Sequence, residues 1–455
     1  MTTIRFDTAW ENVYALADEV SRNGLEVVLV RDLVGRLRLV IDDRGQGHLP
    51  ANLDDRVRAA AGPFAAATPV LRASEMFTAS AVLNSPDLVV AHEADPDSGR
   101  GAFSLLERTV VGADWLRPHP AAKENRITLY GFKGGVGRST ATFMLAKHLA
   151  EQGLCVLVVD LDLESPGVGE LLQPPENRAQ HGIVDYLVES AVGNEAGLDL
   201  VSRSDIVRPS SGNGEVWLFA ADGRPATSDR VRGPAGTPRH RDYLAKLNRI
   251  YTEVPAENHD TPHTLAERLE EAVKEAEQQV AERSGRPDVV LIDSRAGIHD
   301  IAAIAITRLS WLSLLFASDN QASWTGYRTL FEQWHKISLN RVDDIRRRLR
   351  VVAALVPGNN KESYLRSFRE NAQLCFAETL YDDTDASDDM DAFSFGPDDE
   401  DAPHSPLPIL FTSDLVGLNH AAEPGWHDNP FTRAAYEHFL TATTNLIVGE
   451  KPWKN

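Results

Sequence analysis

The chain is 455 residues long, 42% apolar and 25% charged, with a formal net charge of −21, which suits two or three soluble domains around a sizeable core. Its two cysteines, Cys155 and Cys375, exclude a disulfide framework or a thiolate metal centre and fit a reducing, cytoplasmic setting. Such acidity disfavours constitutive binding to DNA or anionic lipid, which needs clustered Lys and Arg, and the first residues lack the basic and apolar regions of a signal peptide.

Residues 1–118 read as a small α+β module of unassigned role. Trp10, Val13, Leu16, Ala17 and Val20 share one face of a predicted helix over 9–22. Strand-like runs at 25–31 and 37–41 are joined through Leu33-Val34-Gly35, a hairpin signal, and helical patterns follow at 53–61 and 79–83. Residues 119–126, in a stretch rich in proline and charge, make a linker.

From residue 127 to 455 the pattern alternates strands and helices. This is the mark of an α/β fold with a doubly wound, mostly parallel sheet. Strands are expected at 127–130, 155–160, 216–220, 289–293, 312–316, 351–356 and 409–411, with helices at 140–152, 263–283 and 322–337. Residues 174–238, rich in Gly, Pro and Ser, are expected to be irregular. The most apolar stretch, Ile301–Ala317, contains Arg308 and reads as a helix followed by a buried strand, not a membrane span. Acidic residues crowd 382–401, read as a solvated loop or, alternatively, a docking strip for a basic partner. Arg346, Arg347, Arg348 and Arg350 read as a charged helix end. In 431–448 few bases accompany the apolar residues, so core packing is expected there.

Three segments carry chemistry. The first is Gly131-Phe-Lys-Gly-Gly-Val-Gly-Arg-Ser-Thr140, between a strand and a helix. Glycine lets the backbone bend sharply and approach an anion, and successive N–H groups with a helix N-terminus can wrap phosphates. Here Lys133, Gly134, Gly135, Val136, Gly137, Arg138, Ser139 and Thr140 are candidate nucleotide contacts. The second segment is an apolar strand ending in Asp160-Leu-Asp162, and the third another ending in Asp293-Ser-Arg-Ala-Gly297. Parallel strands deliver their C-terminal ends to one crevice, where phosphoryl transfer would find a cradle, a metal and a water-orienting group.

These segments resemble the deviant Walker A ATPases of the ParA/MinD type, P-loop NTPases whose hallmark Lys-Gly-Gly-x-Gly-Lys-Ser/Thr is matched from Lys133 to Ser139 except at Arg138. The resemblance covers roughly 126–446, including Gly182–Leu187, and leaves out the leading module and the acidic block. It implies an Mg²⁺–ATP switch that dimerises around nucleotide and engages a protein partner. Lys133 would reach the nucleotide of a second subunit, Asp162 would position the attacking water, and Arg138 would contact the phosphates. Ser139, Asp160 and Asp293 are the candidate Mg²⁺ residues, Asp160 also sitting in the first switch region. Gly297 would let the second switch approach the γ-phosphate. Adenine would lie near Pro357–Asn360, so Pro357 and Asn360 join the cofactor set, and near Ser413-Asp414.

Two departures qualify this. Arg138 replaces the usual lysine with a planar fork, leaving open an ATPase, a nucleotide-binding adaptor with little or no hydrolysis, or a scaffold in an assembly such as a bacterial defence system. Arg295 stands where the family has proline, either as a second cation for the γ-phosphate or in a salt bridge. His299 and His404 are loop histidines weighed for the site. Paired cysteines of iron–sulfur carriers are absent.

Overall fold

The computed structural model describes residues 4–44, 49–85, 87–95, 97–109, 113–115, 125–205, 212, 214–224, 243–252, 254, 263–337, 345–382, 392–418, 420, 423 and 425–449. Chain contacts separate two compact units, Met1–Pro118 with Lys336–Asn340, and His119–His335 with Arg341–Asn455.

The first unit runs α1 (Phe6–Ser21), β1 (Glu26–Arg31), β2 (Leu37–Asp42), α2 (Leu53–Ala61), β3 (Ala65–Arg72), α3 (Ser80–Leu83), β4 (Val89–His92) and β5 (Phe103–Glu107). They form a five-stranded sheet in the order β3-β2-β1-β5-β4. The expected hairpin is present: β1 and β2 pair antiparallel from Glu26↔Asp42 to Arg31↔Leu37. Its turn closes because Asp32 Oδ1 accepts from Val34 N at 3.0 Å and Arg36 N at 2.8 Å. Ala9, Val13, Leu16, Ala17 and Val20 of α1 pack on Val27, Leu29, Leu39 and Ile41. β3, β4 and β5 are strands beyond those expected from the sequence. β3 is alanine-rich and holds a proline, and β4 has only four residues.

The second unit contains β6 (Arg126–Gly131), α4 (Arg138–Glu151), β7 (Cys155–Leu161), α5 (Val168–Leu172), α6 (Ile183–Ser190), β8 (Ser202–Arg203) and β9 (Glu215–Phe219). Then follow α7 (Tyr243–Ile250), α8 (Leu265–Arg283), β10 (Val289–Ser294), α9 (Asp300–Ile304), β11 (Leu312–Ala317), α10 (Gln321–Ile337), β12 (Leu349–Val356), α11 (Lys361–Ala377), β13 (Leu407–Leu410) and α12 (Pro430–Gly449). Its eight-stranded sheet has the order β13-β12-β11-β6-β10-β7-β9-β8. Every pairing is parallel except β8 with β9. Each strand expected in this unit occurs, with ends shifted by one or two residues.

β7 shows why the apolar runs become central strands. Val156 and Val158 enter one core with α4 and α12, while Leu157, Val159 and Leu161 enter another with α6, α8 and α9. A strand covered on both faces needs apolar residues at every position, not alternate ones. Ile301–Ala317 divides as expected, into α9, a π-helical turn at Ala305–Leu309 and buried β11. No helix among the described residues is long and apolar enough to cross a membrane. The irregular region nevertheless holds α6, β8 and β9, while its residues 225–238 lie outside the described ones.

α8 starts on a capping box: Thr264 Oγ1 accepts from Glu267 N at 3.2 Å, and Glu267 Oε2 from Thr264 N at 2.9 Å. Its Glu277 receives both Nε (2.8 Å) and Nη2 (2.9 Å) of Arg126, a fully buried cation at the start of β6. The arginine cluster is partly interior. Arg346 is buried, donates to Asp382 and Leu380 O, and lies over the Phe393 ring at 4.6 Å. Acidic residues 383–391 lie outside the described residues.

Candidate functional site

β6 stops at Gly131 and α4 starts at Arg138, and the loop between them bends at Gly135 (φ 76°) and Gly137 (φ 78°). A side chain is strained in that left-handed region, which makes both positions glycine sites. Gly137 caps α4, whose first amides lack intrahelical partners and supply positive potential at the helix end. A Cβ on Gly134 or Gly135 would meet nothing within 4 Å, so this side of the loop is open. Lys133 is exposed at its front, Val136 is buried behind it, and Ser139 and Thr140 are half-buried in the first turn of α4.

Arg138 turns inward and is 7% exposed. Its Nε donates to Asp293 Oδ1 at 2.8 Å and its Nη2 to Asp162 Oδ2 at 2.7 Å. One fork therefore joins the phosphate loop to the ends of β10 and β7. Burial opposes the guanidinium charge, but Asp293 and Asp162 outweigh it and raise its pKa. Burial raises the Asp162 pKa against the pull of Arg138.

Strand register brings a third carboxylate close. Asp293 lies directly opposite Asp160 across the β10–β7 pairing. Asp160 is fully buried, and its oxygens accept from Gly169 N at 3.1 Å and Asp162 N at 3.3 Å. Burial and then the Asp293 charge push it up to about 8. Both its oxygens are thus engaged in shaping residues 162–169. A Cβ on Gly169 would lie 3.3 Å from Asp160 Oδ2, and one on Gly167 would lie 3.3 Å from Ser139 Oγ, so this loop packs closely on both. Asp293 Oδ2 is buried with no hydrogen-bond partner. That orphaned carboxylate oxygen and the Ser139 hydroxyl are hard donors of the kind Mg²⁺ takes.

The loop after β10 is held from β6. Gly297 N donates to Gly131 O at 3.3 Å, and Tyr130 Oη donates to Gly297 O at 3.2 Å. Of the two readings for Arg295, the structure shows the salt bridge, with Nη1 2.6 Å from Glu164 Oε1. His299 caps α9 by accepting from Ile301 N at 3.4 Å. His404 is fully buried and bonded to Tyr381 among Phe393 and Phe395, so it serves an interior cluster.

Pro357 and Asn360 flank or form a short turn after β12, and Ser413 and Asp414 a turn after β13. Parallel pairing puts these turns at the same sheet edge as the phosphate loop. Leu355 is in the left-handed region (φ 58°), where β12 shifts register against β13.

Several supporting residues carried no sequence signal. Tyr327 accepts from Phe132 N at 3.3 Å and donates to Phe316 O at 2.8 Å. A Cβ on Gly326 would lie 2.2 Å from the Phe132 ring, so α10 seats the start of the loop only because residue 326 has no side chain. Neither appears in a local motif, because each acts across α10.

Residues 127–373 match the family described as the CobQ/CobB/MinD/ParA nucleotide binding domain. Among curated proteins, the chain is 27% identical over 159 residues to the cytosolic Fe-S cluster assembly factor cfd1 of Aspergillus terreus, across 32% of this chain and 46% of that protein. The corresponding CFD1 of Chaetomium globosum is 31% identical over 145 residues, across 30% and 44%. The chain thus spans less than half the length of these curated relatives. Among solved structures, the MinC:MinD cell division protein complex of Aquifex aeolicus aligns with a TM-score of 0.40 at 18% identity, covering 73% of this chain and 99% of that one.

Proposed function

The chain belongs to the CobQ/CobB/MinD/ParA nucleotide-binding domain family, and from that premise we propose that it is an Mg²⁺- and ATP-dependent switch whose turnover is governed by Arg138. The fork of Arg138 on Asp293 and Asp162 carries this reading. A guanidinium fits phosphate as well as carboxylate, so the nucleotide competes with two aspartates for one cation. Phosphate taking Arg138 releases Asp162 to orient water and Asp293 toward the metal. Ser139 and Asp293 would hold Mg²⁺, which when bound neutralises charge on the phosphates. Asp160 acts behind them, holding residues 162–169 through two backbone amides. The open amides around Gly134 and Gly135 and the start of α4 cradle the phosphate chain. Pro357 and Asn360, at the same sheet edge, bound the base. Lys133, exposed at the loop front, supports a homodimer in which each copy contacts the other's nucleotide. A protein partner reads the nucleotide state.

The same fork favours a second reading, an adaptor or scaffold that binds nucleotide with little hydrolysis because the carboxylates retain Arg138. Iron–sulfur assembly is not carried over from the relatives. Cys155 opens β7 and Cys375 is buried in α11, and burial pushes both thiols up to about 12.

Binding of a fluorescent ATP analogue and phosphate release, compared with Asp162→Ala, test this reading. Binding with turnover lost in Asp162→Ala supports the switch. Tight binding without turnover in the wild type moves the assignment to the adaptor, and no binding at millimolar ATP removes both. Lys133→Ala should weaken ATP-dependent dimerisation in sedimentation; an unchanged monomer–dimer balance removes the two-copy arrangement.

A further inference from the structure

A second set of contacts grips the two carboxylate-bearing loops from outside the phosphate loop. Tyr243, the first residue of α7, donates Oη to Leu163 O at 2.7 Å. Tyr251, just past the end of α7, donates Oη to Glu164 Oε1. Leu163 and Glu164 directly follow Asp162. Glu164 Oε1 also receives Arg295 Nη1 at 2.6 Å, and Arg295 lies two residues beyond Asp293. His299 Nε2 is 3.6 Å from that same oxygen, and its ring meets Tyr251 edge-on at 5.5 Å.

The far side of α7 is anchored. Leu247 and Ile250 are buried in the core shared by α6 and α8. Lys246 pairs with Asp185 of α6. Arg268 of α8, 1% exposed, donates to Ile250 O at 2.6 Å and Thr252 O at 2.8 Å, and to Leu187 O of α6 at 3.0 Å. A rigid anchor at one end and two hydroxyls on a catalytic loop at the other form a strap. Hydroxyl contacts to a main-chain carbonyl and a partly buried carboxylate hold a backbone without adding charge to the phosphate site.

We propose that α7 with Tyr251 positions the loop carrying Asp162, and that Glu164 and Arg295 couple that loop to the one carrying Asp293. Tyr243, Tyr251, Glu164 and Arg295 are positioning residues, acting through the aspartates. The inference rests on the nucleotide-switch reading for its consequence, since a displacement of about 1 Å at such a site costs roughly 10²-fold in rate.

Hydrogen exchange on the full chain, with and without Mg²⁺–ATP, tests this for wild type, the Tyr243→Phe/Tyr251→Phe double variant and Glu164→Gln. In the double variant, amides of 162–169 should exchange about tenfold faster, equivalent to about 1.4 kcal/mol, while those of β6, β7 and β10 stay as in wild type. In Glu164→Gln, the protection that Mg²⁺–ATP confers on 295–299 should be lost while ATP affinity stays within about threefold; a purely structural contact would not separate the two. Unchanged exchange over 162–169 in the double variant, or intact ATP-induced protection of 295–299 in Glu164→Gln, overturns the proposal. Wild type that binds no ATP removes the switch reading, while exchange over 162–169 still decides whether the strap exists.

Discussion

Arg138 donates Nε to Asp293 Oδ1 at 2.8 Å, joining the cation of the phosphate loop to the carboxylate near the end of β10. With the second arm on Asp162, this contact makes Arg138 a structural tie between two strand ends, and under the proposed switch the same guanidinium is what phosphate would take. Arg138→Met removes the cation that Asp162 and Asp293 share and leaves buried charge behind, at a cost of about 3–5 kcal/mol in denaturant unfolding. Arg138→Lys keeps a charge but cannot span both carboxylates. It should lose less stability and raise ATP turnover severalfold; turnover equal to wild type would mean that the fork does not restrain the site.

Gly326→Ala should disturb the phosphate loop from a distance. Its Cβ would sit 2.2 Å from the Phe132 ring, which would have to leave its place against Tyr327 at 6.0 Å. Overpacking of this kind costs about 1–3 kcal/mol. ATP affinity should fall along with the melting temperature, and Phe132→Leu in the same chain should restore part of both.

Arg268 holds three main-chain carbonyls in the interior. Burial lowers its pKa. Arg268→Met strands those acceptors at the ends of α6 and α7, and an unsatisfied buried acceptor costs about 1–3 kcal/mol. Denaturant unfolding should show a loss in or above that range, with proteolytic cleavage near residue 250 accelerated.

Stability against pH should carry opposing contributions. Burial holds His404, His427 and His148 below the usual histidine range. Below about pH 6.5 the unfolded chain takes up protons that the native histidines refuse, so their contribution is complete above that pH and is lost as pH falls. Asp160, pushed up to about 8, runs the other way. Native protein holds its proton while the unfolded residue ionises, so stability is lost as pH rises from about 4 to 8. His404→Asn keeps an acceptor for the Tyr381 hydroxyl without the titration. Its melting temperature should fall less than that of wild type between pH 7 and 5.5, and parallel curves would rule out a histidine contribution at this position.

Local pattern was enough for the elements that build the site. An apolar run without alternation, such as 155–161, identifies a strand covered on both faces, and glycines between such a run and a helix identify a bend that accommodates an anion. The family resemblance came from the same contiguous residues. The role of Arg295 was left open in the chain because its partner, Glu164, belongs to another loop. Likewise Asp160 reads as one of several terminal acids until register sets it opposite Asp293.

By itself, then, the sequence determined the strands from β6 onward other than β8, the glycine bend between β6 and α4, and the acids that end β7 and β10, since each of these depends on neighbours a few residues away. Only the tertiary structure decided that Arg138 is shared by Asp162 and Asp293, that Phe132 requires glycine at 326, and that α7 grips the loop after β7. Those relationships depend on strand order and register across a sheet whose adjacent members are distant in the chain, and periodicity contains no term for such pairings.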